Sequence, residues 1–293
     1  MSWLQLTLES SHADATRIAD ALSGLGAVAV TLQDGADQPL YEPPPGKTPL
    51  WSATRIIGLF AADADIMAIT AQLAAQLEMD KLPPWRVSPL EDKDWEREWM
   101  DNFHPMRFGK RLWIVPSGHA APDNNAVNIL LDPGLAFGTG THPTTALCLQ
   151  WLDEHGADHA EVIDYGCGSG ILAVAALKLG ADHVWAVDND PQALIASRDN
   201  AAKNQVTGRI DAIAPGRLPE RPVRLLLANI LAQPLLELAE KFSRLVKPGG
   251  HIVLSGILQH QAEGITHHYA RWFDMAPAAQ QEEWMRLSGR RKH

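Results

Sequence analysis

The fold of this chain is decided by VIDYGCGSGIL, at residues 162–172. Apolar residues lead into glycines at alternate positions and then into further apolar residues. This is the pattern of a buried strand, a tight turn and a helix. Glycine adopts positive φ easily and lets the backbone approach a ligand more closely than a residue with a Cβ would. Because such turns lie at the carboxyl edge of open α/β sheets, where ligands bind, we predict a doubly wound, Rossmann-like sheet.

The glycine spacing discriminates between two adenosyl cofactors. A dinucleotide fingerprint requires Gly-x-Gly-x-x-Gly, but counting from Gly166 the third glycine position holds Ile171. Asp164 precedes the turn, and Asp188 follows the next predicted strand, where a carboxylate can accept hydrogen bonds from both ribose hydroxyls. Two carboxylates suit a cationic sulfonium better than a pyrophosphate. The spacing therefore favours S-adenosylmethionine over NAD, with a ligand-free turn as the structural alternative.

Composition and charge narrow the class of protein. The chain has 293 residues, 46% of them hydrophobic, which is enough for one large or two moderate domains. Its net charge of −10 disfavours direct nucleic-acid recognition and is compatible with a basic protein partner. Its two cysteines, Cys148 and Cys167, lack metal-ligand spacing, so we expect no disulfide and no metal. We find no signal-peptide pattern and no long apolar run, and expect a cytoplasmic protein without a membrane segment.

The first part of the chain has a different pattern. Short segments of alternating apolar residues and segments of helical spacing predict the order strand-helix-strand-strand-helix-strand, as in a ferredoxin-like sandwich. We therefore predict a small α+β ferredoxin-like domain over residues 1–90, a charged helical linker over 91–110 and the Rossmann-like domain over 111–293. No motif in the first domain is catalytic. We expect it to recognise the substrate, with a structural or dimerisation role as the alternative.

A loop rich in glycine and threonine precedes the glycine turn. Residues 132–145 read DPGLAFGTGTHPTT, which predicts an ordered loop that ends by capping a helix. The loop lacks the lysine of a Walker phosphate loop. We interpret it as a lid over the methionine end of the cofactor, with Phe137 as an apolar wall and a hydroxyl from Thr141 or Thr145. His142 is either a capping residue or a weak candidate for a general base.

A third segment, VRLLLANILA at residues 223–232, predicts a buried strand that delivers Asn229 to the same sheet edge as the glycine turn. The amide of Asn229 can accept a hydrogen bond from an amine and aim the amine lone pair at a methyl group, or it can cap the next helix. Elsewhere, Asp190 and Pro191 predict the N-cap and first position of a helix. KPGG at residues 247–250 predicts a tight reversal before another strand.

Together these segments resemble the class I S-adenosylmethionine-dependent methyltransferases. More closely, they resemble the bacterial ribosomal protein methyltransferases that modify protein eleven of the large subunit. The resemblance covers essentially the whole chain, since that family also has a small ferredoxin-like domain ahead of its catalytic domain. The glycine turn is common to the superfamily, whereas GLAFGTG at residues 134–140 together with Asn229-Ile230-Leu231 is more specific. One departure is Asn189, because an aliphatic residue is common after the ribose carboxylate.

The resemblance implies in-line transfer of methyl groups from S-adenosylmethionine to lysine ε-amines and the N-terminal α-amine of one ribosomal protein. Carried over residue by residue, it assigns cofactor contact or the acceptor pocket to Thr145, Gly166, Asp188 and Asn229, with Asn229 as the catalytic residue. The motifs add Phe137, Thr141, Asp164 and Gly168 as cofactor-binding candidates. We expect a monomer. The alternatives are an NAD-dependent oxidoreductase, a non-enzymatic ribosome-assembly factor and, disfavoured by the acidic composition, a nucleic-acid methyltransferase.

Overall fold

The computed structural model describes residues 3–36, 38, 49–90, 104–132 and 140–293. The chain forms two compact units, residues 1–98 and 99–293, and the described residues of each unit have their own hydrophobic core. Phe137 and the charged segment 91–103 lie outside the described residues. Among the residues described, no helix has the length and apolar character needed to span a membrane.

The first unit is a four-stranded antiparallel sheet with two helices. Its elements are β1 (Trp3–Ser11), α1 (His12–Gly24), β2 (Ala29–Asp34), β3 (Ala53–Ala61), α2 (Ile66–Leu77) and β4 (Trp85–Leu90). The strands lie in the order β2-β3-β1-β4, and every neighbouring pair is antiparallel. The order of elements along the chain is that of a ferredoxin-like sandwich. Alternate strand residues such as Leu6, Leu8 and Ile56 form one core with Ile18 and Leu22 of α1, which explains the period-two pattern.

The second unit begins with a small three-stranded sheet. It consists of β5 (Met106–Phe108), β6 (Leu112–Val115) and β7 (Val127–Leu130). β5 is antiparallel to β6, and β6 is parallel to β7. β5 lies within the range 91–110 that we predicted as a linker, so the end of that range is a strand of the second unit. Its three residues are too few for a periodic signal, and only the pairing with β6 defines the strand.

The main sheet of the second unit is doubly wound, as predicted. Its strands are β8 (Glu161–Tyr165), β9 (His183–Val187), β10 (Ile210–Ile213), β11 (Val223–Asn229), β12 (Val246–Leu258), β13 (Phe273–Met275), β14 (Ala279–Gln281) and β15 (Trp284–Arg291). Their order is β10-β9-β8-β11-β12-β15-β13, and β14 pairs with β15. The strands from β10 to β12 are parallel neighbours, whereas β15 is antiparallel to β12, β13 and β14. A common edge therefore carries the carboxyl ends of five strands.

Helices cover both faces of this sheet. They are α3 (Pro143–His155), α4 (Ile171–Lys178), α5 (Pro191–Lys203), α6 (Ala232–Leu245) and α7 (Gln259–Tyr269). Val162 and Leu225 belong to the core that includes α3 and α4, whereas their neighbours Ile163 and Leu226 belong to the core with α6 and α7. Burial on both faces explains why these strands are continuous apolar runs in the sequence.

The reversal predicted at residues 247–250 is wrong. These residues lie within β12, where Val223 pairs with Val246 but Leu225 pairs with His251. From Val223 to Leu225 β11 advances two residues while β12 advances five, so the glycine-containing segment is a bulge within the strand. A glycine pair indicates a departure from regular strand geometry, but only the pairing partner decides whether that departure is a turn or a bulge.

Candidate functional site

The predicted site residues cluster at the topological switch point of the sheet. After β8 the chain moves through β9 to β10, whereas β11 lies on the other side of β8 and is followed by β12. The crevice beyond the carboxyl ends of β8 and β11 is the usual ligand site of such sheets. The glycine turn follows β8, Asp188 follows β9, and Asn229 ends β11. Residues from three separate segments therefore reach one edge.

The glycine turn requires glycine for backbone conformation and for space. The φ angles of Gly166, Gly168 and Gly170 are +78°, +52° and +76°, all in the left-handed region. A Cβ on Gly166 would overlap Cγ2 of Ile230, the residue after Asn229. The backbone nitrogen of Gly166 also donates to the carbonyl of Val187 at 2.7 Å, which holds the turn against the end of β9. The turn thus brings the segments after β8, β9 and β11 into direct contact.

The carboxylate of Asp188 is held between the turn and the start of α5. Its Oδ2 accepts a hydrogen bond from the nitrogen of Gly168 at 2.9 Å, and its Oδ1 accepts one from the nitrogen of Asp190 at 3.0 Å. Asp190 caps α5 by accepting from the nitrogen of Gln192, and Pro191 occupies the first helical position, which confirms that prediction. Because a carboxylate oxygen has two lone pairs, both oxygens of Asp188 can still accept ligand hydroxyls.

Asp164 is a buried carboxyl group with one unsatisfied oxygen. Its side chain is about 1% exposed, and its Oδ2 accepts from the nitrogen of Ala173 at 3.0 Å, in the first turn of α4. Its Oδ1 has no hydrogen-bond partner among the described residues. The pKa of Asp164 is raised to about 7, mainly by burial; the hydrogen bond from Ala173 opposes the shift, and the charge of Asp188 adds to it. Since buried acceptors are normally satisfied, a cationic group of a ligand is a suitable partner for Oδ1.

Asn229 is oriented by a buried hydroxyl from another segment. Its Nδ2 donates to Oγ1 of Thr145 at 3.2 Å, and Thr145 is fully buried in the first turn of α3. With Nδ2 directed at Thr145, the amide oxygen Oδ1 is the atom that can accept from an incoming amine. Eighty-four positions separate these residues, so the contact arises from the tertiary fold.

His142 acts as the N-cap of α3. Its Nδ1 accepts from the nitrogen of Thr144 at 3.4 Å and lies 2.8 Å from Oγ1 of the same residue. Its ring packs edge-on against Trp284 with centroids 4.9 Å apart, and burial lowers the pKa of His142. This geometry favours the capping interpretation over the general base. Thr141 is exposed immediately before the cap, and Phe137 lies outside the described residues.

Polar residues of α5 support the turn, and sequence reasoning missed them. Oγ of the fully buried Ser197 donates to the carbonyl of Gly168 at 3.0 Å, and Nδ2 of Asn200 donates to the carbonyl of Ser169 at 2.8 Å. Asn204, directly after α5, exchanges two hydrogen bonds of 2.8 and 2.7 Å with the backbone at the end of β7. Ser197, Asn200 and Asn204 recur at helical spacing, which could have indicated that they lie on one side of α5. Serine and asparagine on a helix, however, usually indicate a face exposed to solvent.

Both cysteines of the chain are buried. Burial raises the pKa of Cys148 to about 12 and also raises that of Cys167, so both thiols stay protonated at neutral pH. Among the described residues, no group of three or more histidine, cysteine, aspartate or glutamate side chains is arranged to hold a metal ion. The predicted polar side chains described at this edge are the carboxylates of Asp164 and Asp188 and the amide of Asn229.

Comparisons with known proteins identify the family. Residues 2–292 match the family described as ribosomal protein L11 methyltransferase (PrmA). Proteins named ribosomal protein L11 methyltransferase from Marinobacter nauticus and Pseudomonas aeruginosa are each 55% identical to this chain, over 100% of it and 99% of their own length. The crystal structure of a ribosomal protein L11 methylase from Lactobacillus delbrueckii subsp. bulgaricus is 32% identical, with a TM-score of 0.60 over 65% of this chain and 100% of that one. This chain belongs to the ribosomal protein L11 methyltransferase family.

Proposed function

We propose that this protein transfers methyl groups from S-adenosylmethionine to amino groups of ribosomal protein L11, namely lysine ε-amines and the N-terminal α-amine. The names of its family and of its full-length relatives support the substrate. The observation that carries the chemistry is the switch-point crevice, where Asp164 and Asp188 lie at the same edge as Asn229. Carboxylates suit a cationic donor, and an amide acceptor suits a neutral amine nucleophile.

The residues at this edge fit S-adenosylmethionine better than a dinucleotide. Asp188 would accept from the ribose hydroxyls, and Asp164 Oδ1 would receive the cationic methionine end, near the backbone of the glycine turn. The N-terminus of α4, which would bind a pyrophosphate in a dinucleotide site, already donates to Asp164 through Ala173. Ile171 occupies the position of the third fingerprint glycine. When bound, S-adenosylmethionine supplies a methyl group activated by its sulfonium.

The acceptor amine needs orientation and loss of a proton. Asn229 Oδ1 would accept a hydrogen bond from the amine nitrogen, with Thr145 fixing the amide. Correct positioning of reactants contributes up to ~7–11 kcal/mol in well-aligned cases. A lysine amine with a pKa of about 10.4 is neutral in only about one molecule in 2,500 at pH 7. Desolvation beside a positive charge lowers that pKa, so the proton can leave to water before attack. We assign no general base, because His142 is engaged as a helix cap.

The first unit is proposed to hold the protein substrate. Its described residues form a separate core with an ordinary ferredoxin-like order of elements, and the polar residues of the switch-point crevice all belong to the second unit. A separate recognition unit allows several amines of one substrate to reach a single acceptor site. Phe137 and Thr141 remain proposed contacts of the methionine end of the cofactor.

Incubation with methyl-labelled S-adenosylmethionine and purified L11 tests the function. We expect label in L11, and intact-mass and peptide spectra showing methyl additions on lysine and on the N-terminal amine. A non-enzymatic assembly factor would transfer no label. Titration calorimetry with S-adenosylhomocysteine and NADH tests the cofactor separately, and saturable binding of NADH alone would overturn the assignment.

A further inference from the structure

Apart from the switch-point crevice, a cavity lies at the other end of the main sheet, where β12 begins. It has a volume of about 470 Å³ and is lined by Arg224, Lys247, residues 248–251, Arg290 and His293. The bulge of β12 forms one side of it. Gly250 lies five residues before Ser255, the partner of Asn229 in the sheet. At about 3.3 Å per strand residue, the cavity therefore lies roughly 16 Å from the carboxyl edge of the sheet, where Asn229 is located.

The cavity is basic although the chain as a whole has a net charge of −10. The carboxylate of Glu161 is shared by Lys247, at 3.7 Å, and Arg221. Within the described part of the chain, Arg224 and Arg290 form no ion pair with a carboxylate. Burial lowers the pKa of His251, and the neighbouring His155 and Arg290 lower it further, as expected where the local potential is positive. Positive charge is thus concentrated at this cavity, where the carboxylate of Glu161 pairs with Lys247.

The guanidinium of Arg290 is held against the bulge of β12. Its Nε donates to the carbonyl of Gly249 at 3.1 Å, and no hydrogen bond from its two terminal nitrogens is found among the described residues. Gly249 has a φ of +76°, and a Cβ there would lie 3.5 Å from Nη2 of Arg290. That distance is an ordinary van der Waals contact, so the guanidinium lies directly beside the backbone of the bulge. A guanidinium fixed through Nε presents a planar pair of donors that matches two oxygens of an oxyanion.

We propose that this cavity binds a phosphate group through Arg224, Lys247 and Arg290. The phosphate belongs either to a free phosphate compound or to the backbone of an RNA strand, and the chemistry of recognition is the same. The site is separate from the switch-point crevice and does not depend on the proposed methyl transfer. The net charge of −10 opposes binding of phosphate, so the proposed binding depends on the local concentration of arginine and lysine at this cavity.

Titration calorimetry of the full chain with inorganic phosphate, at constant ionic strength, tests the proposal. We expect the wild type to bind phosphate saturably. In Arg224→Gln the affinity for phosphate should fall about tenfold, because one charged hydrogen-bond donor is lost. Arg217→Gln removes the same charge from an exposed arginine beside β10 and should bind phosphate as the wild type does. Arg290→Gln is the second variant if Arg224→Gln does not fold.

A labelled RNA of twelve nucleotides identifies the source of the phosphate. If Arg224→Gln weakens binding of both ligands, the cavity accepts RNA backbone; if only phosphate binding weakens, it accepts a free phosphate compound. Absence of saturable phosphate binding by the wild type, or equal affinity in Arg224→Gln and Arg217→Gln, would overturn the proposal. Circular dichroism spectra of the variants separate loss of binding from loss of fold.

Discussion

Replacement of Gly166 by alanine tests how the glycine turn and the acceptor residue depend on each other. The φ of Gly166 is +78°, a conformation that costs an L-residue about 1–2 kcal/mol. The new Cβ would also overlap Cγ2 of Ile230, and overpacking of this kind costs about 1–3 kcal/mol. We therefore expect Gly166→Ala to lower the free energy of unfolding by about 2–5 kcal/mol, the sum of the two effects.

Gly118→Ala is the matched control for this variant. Gly118 has a φ of +86°, but a Cβ there would meet no atom within 4 Å. Gly118→Ala therefore includes only the cost of placing an L-residue at positive φ. We expect it to lower the free energy of unfolding, measured in urea, by about 1–2 kcal/mol. Because Ile230 follows Asn229 directly, displacing it should also move the acceptor amide. A misplacement of about 1 Å can lower kcat by about a hundredfold. Gly118→Ala should leave kcat unchanged.

A double variant separates the two effects of Gly166→Ala. Ile230→Ala removes the methyl group that the new Cβ meets, so Gly166→Ala in that background should destabilise no more than Gly118→Ala does. Urea titrations report stability, and methylation of L11 reports kcat. The reasoning is refuted if Gly166→Ala and Gly118→Ala lower stability equally and Gly166→Ala keeps wild-type turnover.

Five further changes probe the site and the first unit. Asn229→Ala should lower kcat more than cofactor affinity, and Asp188→Ala should do the reverse; equal effects on both constants in steady-state kinetics and calorimetry would contradict this division. Burial raises the pKa of Asp164 to about 7, so the folded protein holds this proton more tightly than the unfolded chain does. The contribution of Asp164 to the free energy of unfolding is therefore fully present below pH ~4 and is lost as the pH rises through 7. In Asp164→Asn, the urea midpoint should no longer fall between about pH 4 and pH 7 because of this group, and a pH profile identical to that of the wild type would contradict the reasoning. Asn200→Ala should raise KM for the cofactor by about three- to tenfold through loss of its bond to the turn, with kcat nearly unchanged; an equal fall in kcat would contradict a positioning role. Deletion of residues 1–90 should leave binding of S-adenosylhomocysteine intact in calorimetry and abolish methylation of L11, and full activity would exclude the recognition role.

Local sequence determined the features whose chemistry is local. Alternate glycines specify a turn with positive φ, and Asp190 with Pro191 specifies the start of a helix, because each acts on backbone groups within a few residues. The apolar runs of β8 and β11 likewise indicated strands buried on both faces. Since parallel strands end at one edge, the sequence also placed Asp188 and Asn229 in a common crevice.

Contacts between distant segments were decided only by the tertiary structure. The bond from Asn229 to Thr145, the support of the turn by Ser197 and Asn200, and the bulge of β12 all join residues far apart in the chain. The raised pKa of Asp164 belongs with them, because it follows from burial under α4. No periodic pattern encodes such contacts: the energy of a buried polar group depends on which partners the folded chain brings within hydrogen-bonding distance.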